Sequence, residues 1–308
     1  MVSAMTETPA RILSLAHGKL HLDLAPERGG SIVRFALDGP TGPIMLMRPG
    51  TAAGLAEREP RELASFPLFP YSGRIAGGKV RFGQETVRLP GNWSGGPHPI
   101  HGDAWLRPWR VERSEDASAT LVYEHDGRGW PVRYRARQLF RLDERGLHLE
   151  ISVENIDTRS MPAGIGVHPY FPKTPASRFA AKLGHVWLSD AELIPTERVA
   201  VPKDWSFAEE RALGSLVLDN CFGDWDGKAA IAWPESATRL EIVADPPLRH
   251  LVIYTPKDRD FFCVEPVSHA SGGFALAAAG VADTGTRLLE PGETLAASMR
   301  FEPSSLTG

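Results

Sequence analysis

Apolar and polar residues alternate with a period of two along much of the chain. The alternation is clearest in residues 132–142 and 147–154, which flank a polar turn at residues 143–146. Such alternation predicts two paired strands with one buried face and one exposed face. The polar face carries arginines on the first strand and glutamates on the second, which favours cross-strand ion pairs on a solvated surface over an anion site.

Shorter runs of the same kind recur between turn residues such as Gly77-Gly78 and Pro291-Gly292. They predict further strands at residues 19–24, 31–37, 79–82, 85–89, 109–113, 119–124, 239–244, 250–255, 261–265 and 294–301. Only residues 202–216 are a candidate for a turn or two of helix. Because no repeat or linker marks a boundary, we predict one all-β domain over residues 1–308, with its core at about 11–302, built as a sandwich rather than a closed barrel.

Composition supports an architecture of many short elements. The chain has 308 residues, of which 42% are hydrophobic, 30 are glycine and 26 are proline. This content of helix breakers disfavours a helical bundle. A chain of this length can bury a large core without a disulfide or a structural metal.

Charge and cysteine content exclude several classes of protein. The net charge is −4 and no Lys/Arg block occurs, which disfavours binding to nucleic acid. Cys221 and Cys263 lack zinc-site spacing, and two reduced cytosolic thiols are favoured over a disulfide between them. Residues 1–12 lack the pattern of a signal peptide, and the apolar run at 272–282 is far shorter than the roughly 20 residues of a membrane span. We therefore expect a cytoplasmic protein with no membrane partner.

Four segments carry side chains suited to chemistry. Residues 66–75 form an apolar, proline-broken stretch that ends near Arg74, whose charge needs a partner in either an ion pair or a ligand site. Residues 97–103 contain His98 and His101. The surrounding prolines deny these histidines a helical face and no third ligand lies nearby, so a hydrogen bond to a polar ligand or to a turn is favoured over a metal pair.

The other two segments contain a candidate acid and a candidate base. His168 precedes Tyr170 and Phe171, an arrangement that suits a sugar site because aromatic rings cover apolar sugar faces and an imidazole transfers a proton. Glu265 follows an apolar strand, where burial raises a carboxyl pKa and favours general-base chemistry. Taken singly, a structural histidine and an ion-paired glutamate remain the alternatives.

Together the four segments resemble the aldose 1-epimerase (galactose mutarotase) family. The resemblance is carried by residues 70–75 (PYSGRI), 101–105 (HGDAW), 168–171 (HPYF) and 264–266 (VEP), and by the closing LEPGE at 289–293. It extends over roughly residues 11–301. It implies a large antiparallel β-supersandwich that acts on a monosaccharide as a monomer or homodimer, without a cofactor or a metal.

The resemblance also implies roles for individual residues. Glu265 matches the catalytic base and His168 the catalytic acid, while the positions that contact the sugar are matched by Arg74, His101 and Asp219. One departure is Gly73, where many members have asparagine, so one sugar contact is expected to be lost or replaced. The His-Gly-Asp-Ala-Trp segment is more similar to a bacterial branch of the family than to the galactose enzymes.

The expected activity is interconversion of the α and β anomers of a free aldose. One alternative is a hexose-6-phosphate 1-epimerase, which needs at least two basic residues at the pocket mouth, with Arg74 and Arg107 as candidates. A non-catalytic sugar-binding protein on the same fold is a second alternative. A third is a glycoside hydrolase that uses Asp219 and Glu265 as its carboxylate pair.

Overall fold

Antiparallel strands make up most of the computed structural model, which describes residues 11–306. In chain order, the strands β1 to β24 of this part of the chain are Leu13–His17, Leu20–Ala25, Ser31–Gly39, Gly42–Met45, Ser65–Leu68, Lys79–Phe82, Glu85–Arg88, Arg110–Glu115, Ser118–His125, Tyr134–Asp143, Gly146–Asn155, Met161–Ala163, Gly166–Pro172, Arg178–Ala181, His185–Ser189, Pro195–Ala200, Arg211–Ala212, Leu218–Gly223, Lys228–Trp233, Thr238–Ala244, His250–Thr255, Phe261–Val267, Arg287–Leu289 and Thr294–Ser305. The two α-helices are α1, Ala52–Ala56, and α2, Gly273–Ala278.

Two large sheets contain most of these strands. The larger sheet has eleven strands in the order β1-β2-β3-β5-β13-β22-β21-β18-β15-β16, with β4 paired to β3. The smaller has nine, in the order β17-β14-β19-β20-β24-β11-β10-β9-β8. Side chains from both sheets, such as Phe35 and Phe262 from the larger and Phe140 and Phe301 from the smaller, share one buried core. The predicted all-β, antiparallel supersandwich is confirmed.

The central strands of the larger sheet have two differently used faces. Along β22, Phe262 and Val264 point into the core between the sheets, whereas Cys263 belongs to a second apolar cluster that does not share that core. Because strand side chains alternate, Glu265 lies on the same face as Cys263. The outer face of the larger sheet is therefore available for a site.

All of the segments predicted as strands from alternation form strands in the structure. The hairpin β10–β11 pairs over its full length, and on its exposed face Arg135 contacts Glu124 and Glu154 at 2.9 and 2.8 Å. This confirms the predicted solvated face with cross-strand ion pairs. The helix expected at 202–216 is wrong beyond one 3₁₀ turn at Lys203–Trp205, because the chain must then extend to pair β17 with β14.

Neither helix of residues 11–306 is long and apolar enough to cross a membrane. Residues 1–10, which make up most of the segment that lacks a signal-peptide pattern, lie outside the described residues.

A half-buried carboxylate joins the loop after β7 to the smaller sheet. Asp103 accepts hydrogen bonds from the hydroxyls of Tyr134 (2.6 Å) and Tyr123 (2.9 Å), and lies 3.1 Å from Nδ1 of His125. Nε2 of His125 donates to the carbonyl of Trp130, so both ring nitrogens act as donors. Burial opposes both charges, but the mutual hydrogen bond and attraction outweigh it, lowering the pKa of Asp103 and raising that of His125.

Replacing Asp103 with asparagine removes the negative charge that stabilises the protonated His125. We expect Asp103→Asn to lower the free energy of unfolding by about 3 kcal/mol, the scale for breaking a buried ion pair. Because the folded-state pKa of His125 is raised above 6.5, its contribution is complete below that pH and is lost as the pH rises through the folded-state value. Urea denaturation at mildly acidic pH, below 6.5, and at alkaline pH should therefore show a difference that shrinks in alkali.

The matched control is Asp126→Asn, because Asp126 is exposed, pairs with Arg128 at the surface, and attracts His125 more weakly than Asp103 does, without a hydrogen bond to it. This variant should cost less than about 1 kcal/mol. Equal destabilisation by the two variants would contradict the proposed importance of the buried pair.

Candidate active site

All five residues singled out for catalysis or sugar binding line one cavity of about 500 Å³ on the outer face of the larger sheet. They are Arg74, His101, His168, Asp219 and Glu265. The volume is typical of a small-molecule site. The fold thus brings segments that are far apart in sequence to one cavity.

Strand pairing brings His168 and Glu265 into contact. Strands β13 and β22 are antiparallel neighbours, and Tyr170 is paired with Cys263. Two residues further along, the same register sets His168 opposite Glu265. The His168 Nε2 atom lies 3.2 Å from Oε1 of Glu265, so a proton can pass between them or be handed to a bound molecule by either.

A proline follows each member of this pair. Pro169 and Pro266 lie in central strands, where proline is unusual because it cannot donate a ladder hydrogen bond. Proline also confines the preceding residue to extended backbone conformations. The backbones of His168 and Glu265 are thus restricted before any ligand binds, which reduces the entropy lost in holding their side chains together.

Burial favours the uncharged form of both residues. Glu265 is only 2% exposed, and its Oε2 has no hydrogen-bond partner within residues 11–306; the same holds for Nδ1 of His168. Burial raises the pKa of Glu265 well above its usual value, an effect increased by Asp219 and opposed by Arg74. Burial lowers the pKa of His168 to about 3. The pair therefore holds one proton over a wide pH range.

The imidazole of His168 packs against two aromatic rings. Its ring stacks on those of Phe66 and Tyr170, with centroid distances of 4.6 and 4.7 Å, and these two rings are 6.2 Å from each other. Trp105 stacks on Phe66, and the guanidinium of Arg48 lies 4.0 Å from the centre of the Tyr170 ring. The stack fixes the plane of the imidazole. Sequence reasoning missed Arg48, which follows an irregular segment with no recognisable motif.

Two hydrogen bonds between Gly73 and His101 orient a second histidine. The Gly73 N–H donates to Nδ1 of His101 at 3.1 Å, and the His101 N–H donates to the Gly73 carbonyl at 3.0 Å. Burial lowers the pKa of His101 well below its usual value. Because Nδ1 accepts and the ring is neutral, Nε2 carries the proton. His101 thus offers an N–H donor, with its ring edge-on to His168 at 5.4 Å.

Asn92, which sequence reasoning also missed, holds the His101 loop in place. Its side-chain amide donates to the carbonyls of Ile100 and Gly102 at 2.7 and 2.6 Å and accepts from the N–H of Ile100. Gly102 has a φ of +68°, and a Cβ there would lie 1.8 Å from the Phe69 carbonyl oxygen. Only glycine fits this position.

Arg74 has no ion-pair partner in the part of the chain that the structure describes, although the sequence left a structural ion pair open. Its guanidinium lies 5.6 Å from the centre of the Trp93 ring. Its positive charge lowers the pKa of Asp219, although burial raises that pKa more strongly. Arg74 is therefore available to a ligand.

Two other residues considered in the sequence lie away from this chemistry. His98 does not pair with His101: its Nδ1 accepts from Gly77 and its Nε2 contacts Glu192, both at 3.1 Å. The suggestion that Arg107 is a second basic residue of the pocket is wrong, because Arg107 is exposed and lies 3.6 Å from Asp103 outside the cavity. The arginines that line the cavity with Arg74 are instead Arg48, Arg61 and Arg259.

Gly73 stands where the resemblance led us to expect asparagine. Its φ of +73° favours glycine, and a Cβ there would lie 2.8 Å from the hydroxyl oxygen of Ser271, which also lines the cavity. A larger residue would displace Ser271. The serine hydroxyl therefore occupies space next to Arg74 that a side chain at position 73 would fill.

Comparison with known proteins identifies the family. The aldose 1-epimerase family profile matches residues 11–302, so the chain belongs to this family. It is 33% identical over 267 residues to the uncharacterized protein YphB of Escherichia coli K12, covering 84% of this chain and 88% of that protein.

Two solved structures have the same fold as this chain. A crystal structure from Escherichia coli K12, provisionally described as an aldose 1-epimerase, is 31% identical and superposes with a TM-score of 0.86, covering 96% of this chain and 99% of that one. A galactose mutarotase-like protein from Clostridium acetobutylicum shares the fold at 20% identity, with a TM-score of 0.83 and 96% coverage of both chains.

The Gly73–Ser271 contact can be tested by adding one methyl group. Gly73→Ala should push Ser271 aside and disturb the two hydrogen bonds to His101, raising KM for the sugar at least threefold. The control is Gly77→Ala, since Gly77 also has positive φ but a Cβ there would have no atom within 4 Å. Both variants should lose about 1–2 kcal/mol from left-handed backbone strain. An unchanged KM in Gly73→Ala would contradict the role assigned to this contact.

Proposed function

We propose that this protein is an aldose 1-epimerase, a mutarotase that interconverts the α and β anomers of a free aldose by opening and closing the sugar ring. Membership of the family and the shared fold support a mutarotase-like function. The observation that carries the proposal is the 3.2 Å contact between His168 and Glu265 at the floor of the cavity. It pairs a carboxyl group with an imidazole, as a reaction with two proton transfers requires.

Ring opening moves two protons. The Glu265 carboxylate takes the proton from the C1 hydroxyl, and the His168 imidazolium gives a proton to the ring oxygen as its bond to C1 breaks. The product is the open-chain aldehyde. After rotation about the C1–C2 bond, Glu265 returns its proton to O1 and His168 takes the proton back from the ring-forming hydroxyl as the C1–O bond re-forms. No net oxidation or proton uptake occurs.

The electrostatics of the cavity favour the open-chain stage. Opening converts an ionised pair into neutral Glu265 and neutral His168, and these are the forms that burial stabilises. The positive charge of Arg74 lowers the pKa of both groups, so it favours the ionised form of Glu265 and the neutral form of His168. It thereby helps to keep the base ionised before the reaction begins.

The remaining residues bind and orient the sugar. The neutral His101 donates its Nε2 proton to a sugar oxygen, and Arg74 donates charge-assisted hydrogen bonds. Asp219 accepts hydrogen bonds from sugar hydroxyls. The rings of Trp93 and Phe261 line the cavity and can cover apolar faces of the sugar. Holding the ring in one pose gives the two proton transfers a fixed geometry.

Replacing either proton carrier should abolish most of the catalysis. Glu265→Gln keeps the size of the side chain but cannot accept a proton, so mutarotation of fresh α-anomers followed by polarimetry should slow by at least about 10²-fold. His168→Asn should do the same, and the double variant should be little worse than either single one because the two residues act as a unit. Binding of the sugar should persist.

The control for this pair is Glu241→Gln, which alters an exposed carboxylate on β20 of the smaller sheet. Its rate should equal that of the unaltered protein. If Glu265→Gln keeps a near-normal rate with a sugar that the unaltered protein accelerates, the assigned base is wrong and Asp219 becomes the next candidate.

The pH dependence of kcat/KM should be bell-shaped, because the reaction needs one proton on the pair. The acidic limb should lie well below pH 6.5, since the pKa of His168 is lowered to about 3. The alkaline limb should lie well above 4.5, since the pKa of Glu265 is raised. The apparent values belong to the coupled pair. An acidic limb at or above pH 6.5 would contradict the assignment.

A hexose 6-phosphate is the second candidate substrate, because Arg74 and Arg259 line the cavity and neither has an ion-pair partner within residues 11–306. Arginine is well suited to bind phosphate. Competition between glucose 6-phosphate and free glucose in the polarimetric assay separates the candidates. A free-aldose enzyme should prefer the neutral sugar, and Arg259→Ala should then leave its KM unchanged. The single domain, cytoplasmic location and monomeric or dimeric state stay predictions.

A further inference from the structure

A thiol lies beside the proton-transfer pair. The Cys263 Sγ atom, one ring nitrogen of His168 and one carboxylate oxygen of Glu265 all lie within 4.8 Å of one another. All three residues are buried, and Cys263 is a free cysteine. Cys263 is not among the residues that line the cavity, and neither the proposed reaction nor sugar binding uses it. Neither role explains why a thiol lies beside the acid and the base.

The three donor atoms match the ligand chemistry of zinc. Thiolate, imidazole and carboxylate are its usual protein ligands, at about 2.0–2.3 Å, which separates donors in a tetrahedron by about 3.3–3.6 Å. The His168–Glu265 distance of 3.2 Å already has this spacing. At a separation of at most 4.8 Å, the sulfur needs to approach the other two donors by no more than about 1.5 Å.

The site also has unused coordinating capacity and an open side. Oε2 of Glu265, a residue that is only 2% exposed, has no hydrogen-bond partner in the described part of the chain. His168 and Glu265 line the cavity, so a fourth position faces the space where a sugar would lie. Three protein ligands with one open position is the arrangement of an accessible zinc site rather than a closed structural one.

We propose that His168, Cys263 and Glu265 form an inhibitory zinc site, at which the metal and the sugar exclude each other. The inhibition rests on the proposed function, because zinc would occupy the acid and the base of the mutarotase reaction. On binding, sulfur–zinc, nitrogen–zinc and oxygen–zinc bonds form, and two protons are released to solvent: one from the Cys263 thiol and one from the His168–Glu265 pair. No electron is transferred, so removal of the metal restores the original groups.

The binding test uses metal alone and does not depend on activity. Titration of the purified protein with zinc chloride in a calorimeter should show one high-affinity zinc ion per chain. Cobalt(II) chloride should give the ultraviolet charge-transfer band of a thiolate–cobalt bond, and zinc should abolish that band. In the polarimetric assay, zinc should raise the apparent KM for the sugar, and EDTA should restore the rate.

Cys263→Ala isolates the sulfur ligand. It should keep mutarotation but weaken zinc binding and inhibition at least tenfold, since loss of even outer-shell partners commonly weakens metal affinity about 10–100-fold. It should also lose the cobalt–thiolate band. Cys221→Ala is the matched control, because Cys221 is the other buried free cysteine of the same apolar cluster and lies outside the three-donor group. It should respond to zinc and cobalt as the unaltered protein does.

The outcomes separate this proposal from the proposed function. Absence of a cobalt–thiolate band in the unaltered protein, or zinc inhibition that is equal in Cys263→Ala, would overturn the zinc site even if mutarotation is normal. A metal site without mutarotation would overturn the proposed function alone. If Cys263→Ala fails to fold, Cys263→Ser serves instead and should show the same loss of the band and of the inhibition.

Discussion

The antiparallel register between β13 and β22 is the constraint on which the site depends. It sets His168 opposite Glu265 with 3.2 Å between their polar atoms, in surroundings that disfavour a charge on either. A one-residue slip would turn one of the two side chains into the core between the sheets. The prolines that follow both residues remove ladder hydrogen bonds at this point but restrict the backbone there. Some strand hydrogen bonds are lost at this point, but the positions of His168 and Glu265 are fixed before a ligand binds.

The two faces of the larger sheet have different roles: one packs into the core between the sheets, and the other carries the candidate site. Phe262 and Val264 pack into the shared core, while the intervening residues of β22 face the cavity and the apolar layer below it. The same apolar layer that supports the site removes water from His168 and Glu265. Their shifted pKa values are therefore a direct consequence of where the sheet places them. Asp103 and His125 hold the neighbouring loop against the smaller sheet, so both sheets contribute to the geometry of the site.

Much of this architecture could be predicted from alternation, and much of the site from short motifs. The hairpin β10–β11 has a regular polar face and was predicted with its ion pairs. Strands β5, β13 and β18 lack that regularity, because both of their faces are largely buried or interrupted by proline, and alternation did not reveal them. Cys263 reaches the site through pairing of β22 with β13, and Arg48 through a hydrogen bond from its N–H to the Tyr170 carbonyl; no local pattern encodes either long-range contact. The wrong helix at 202–216 has the same origin, since strand pairing with β14 overrides local preference.

The most direct test of the proposed proton-transfer pair is exchange between sugar anomers at equilibrium. Two-dimensional NMR exchange spectroscopy with galactose, glucose, arabinose and xylose measures interconversion without net reaction. Each sugar is compared with its methyl glycoside, in which O1 has no proton for Glu265 to remove. We expect catalysed exchange for at least one free sugar and neither exchange nor hydrolysis for its methyl glycoside. Absence of catalysed exchange for all four free sugars, or hydrolysis of a methyl glycoside, would contradict the proposed function.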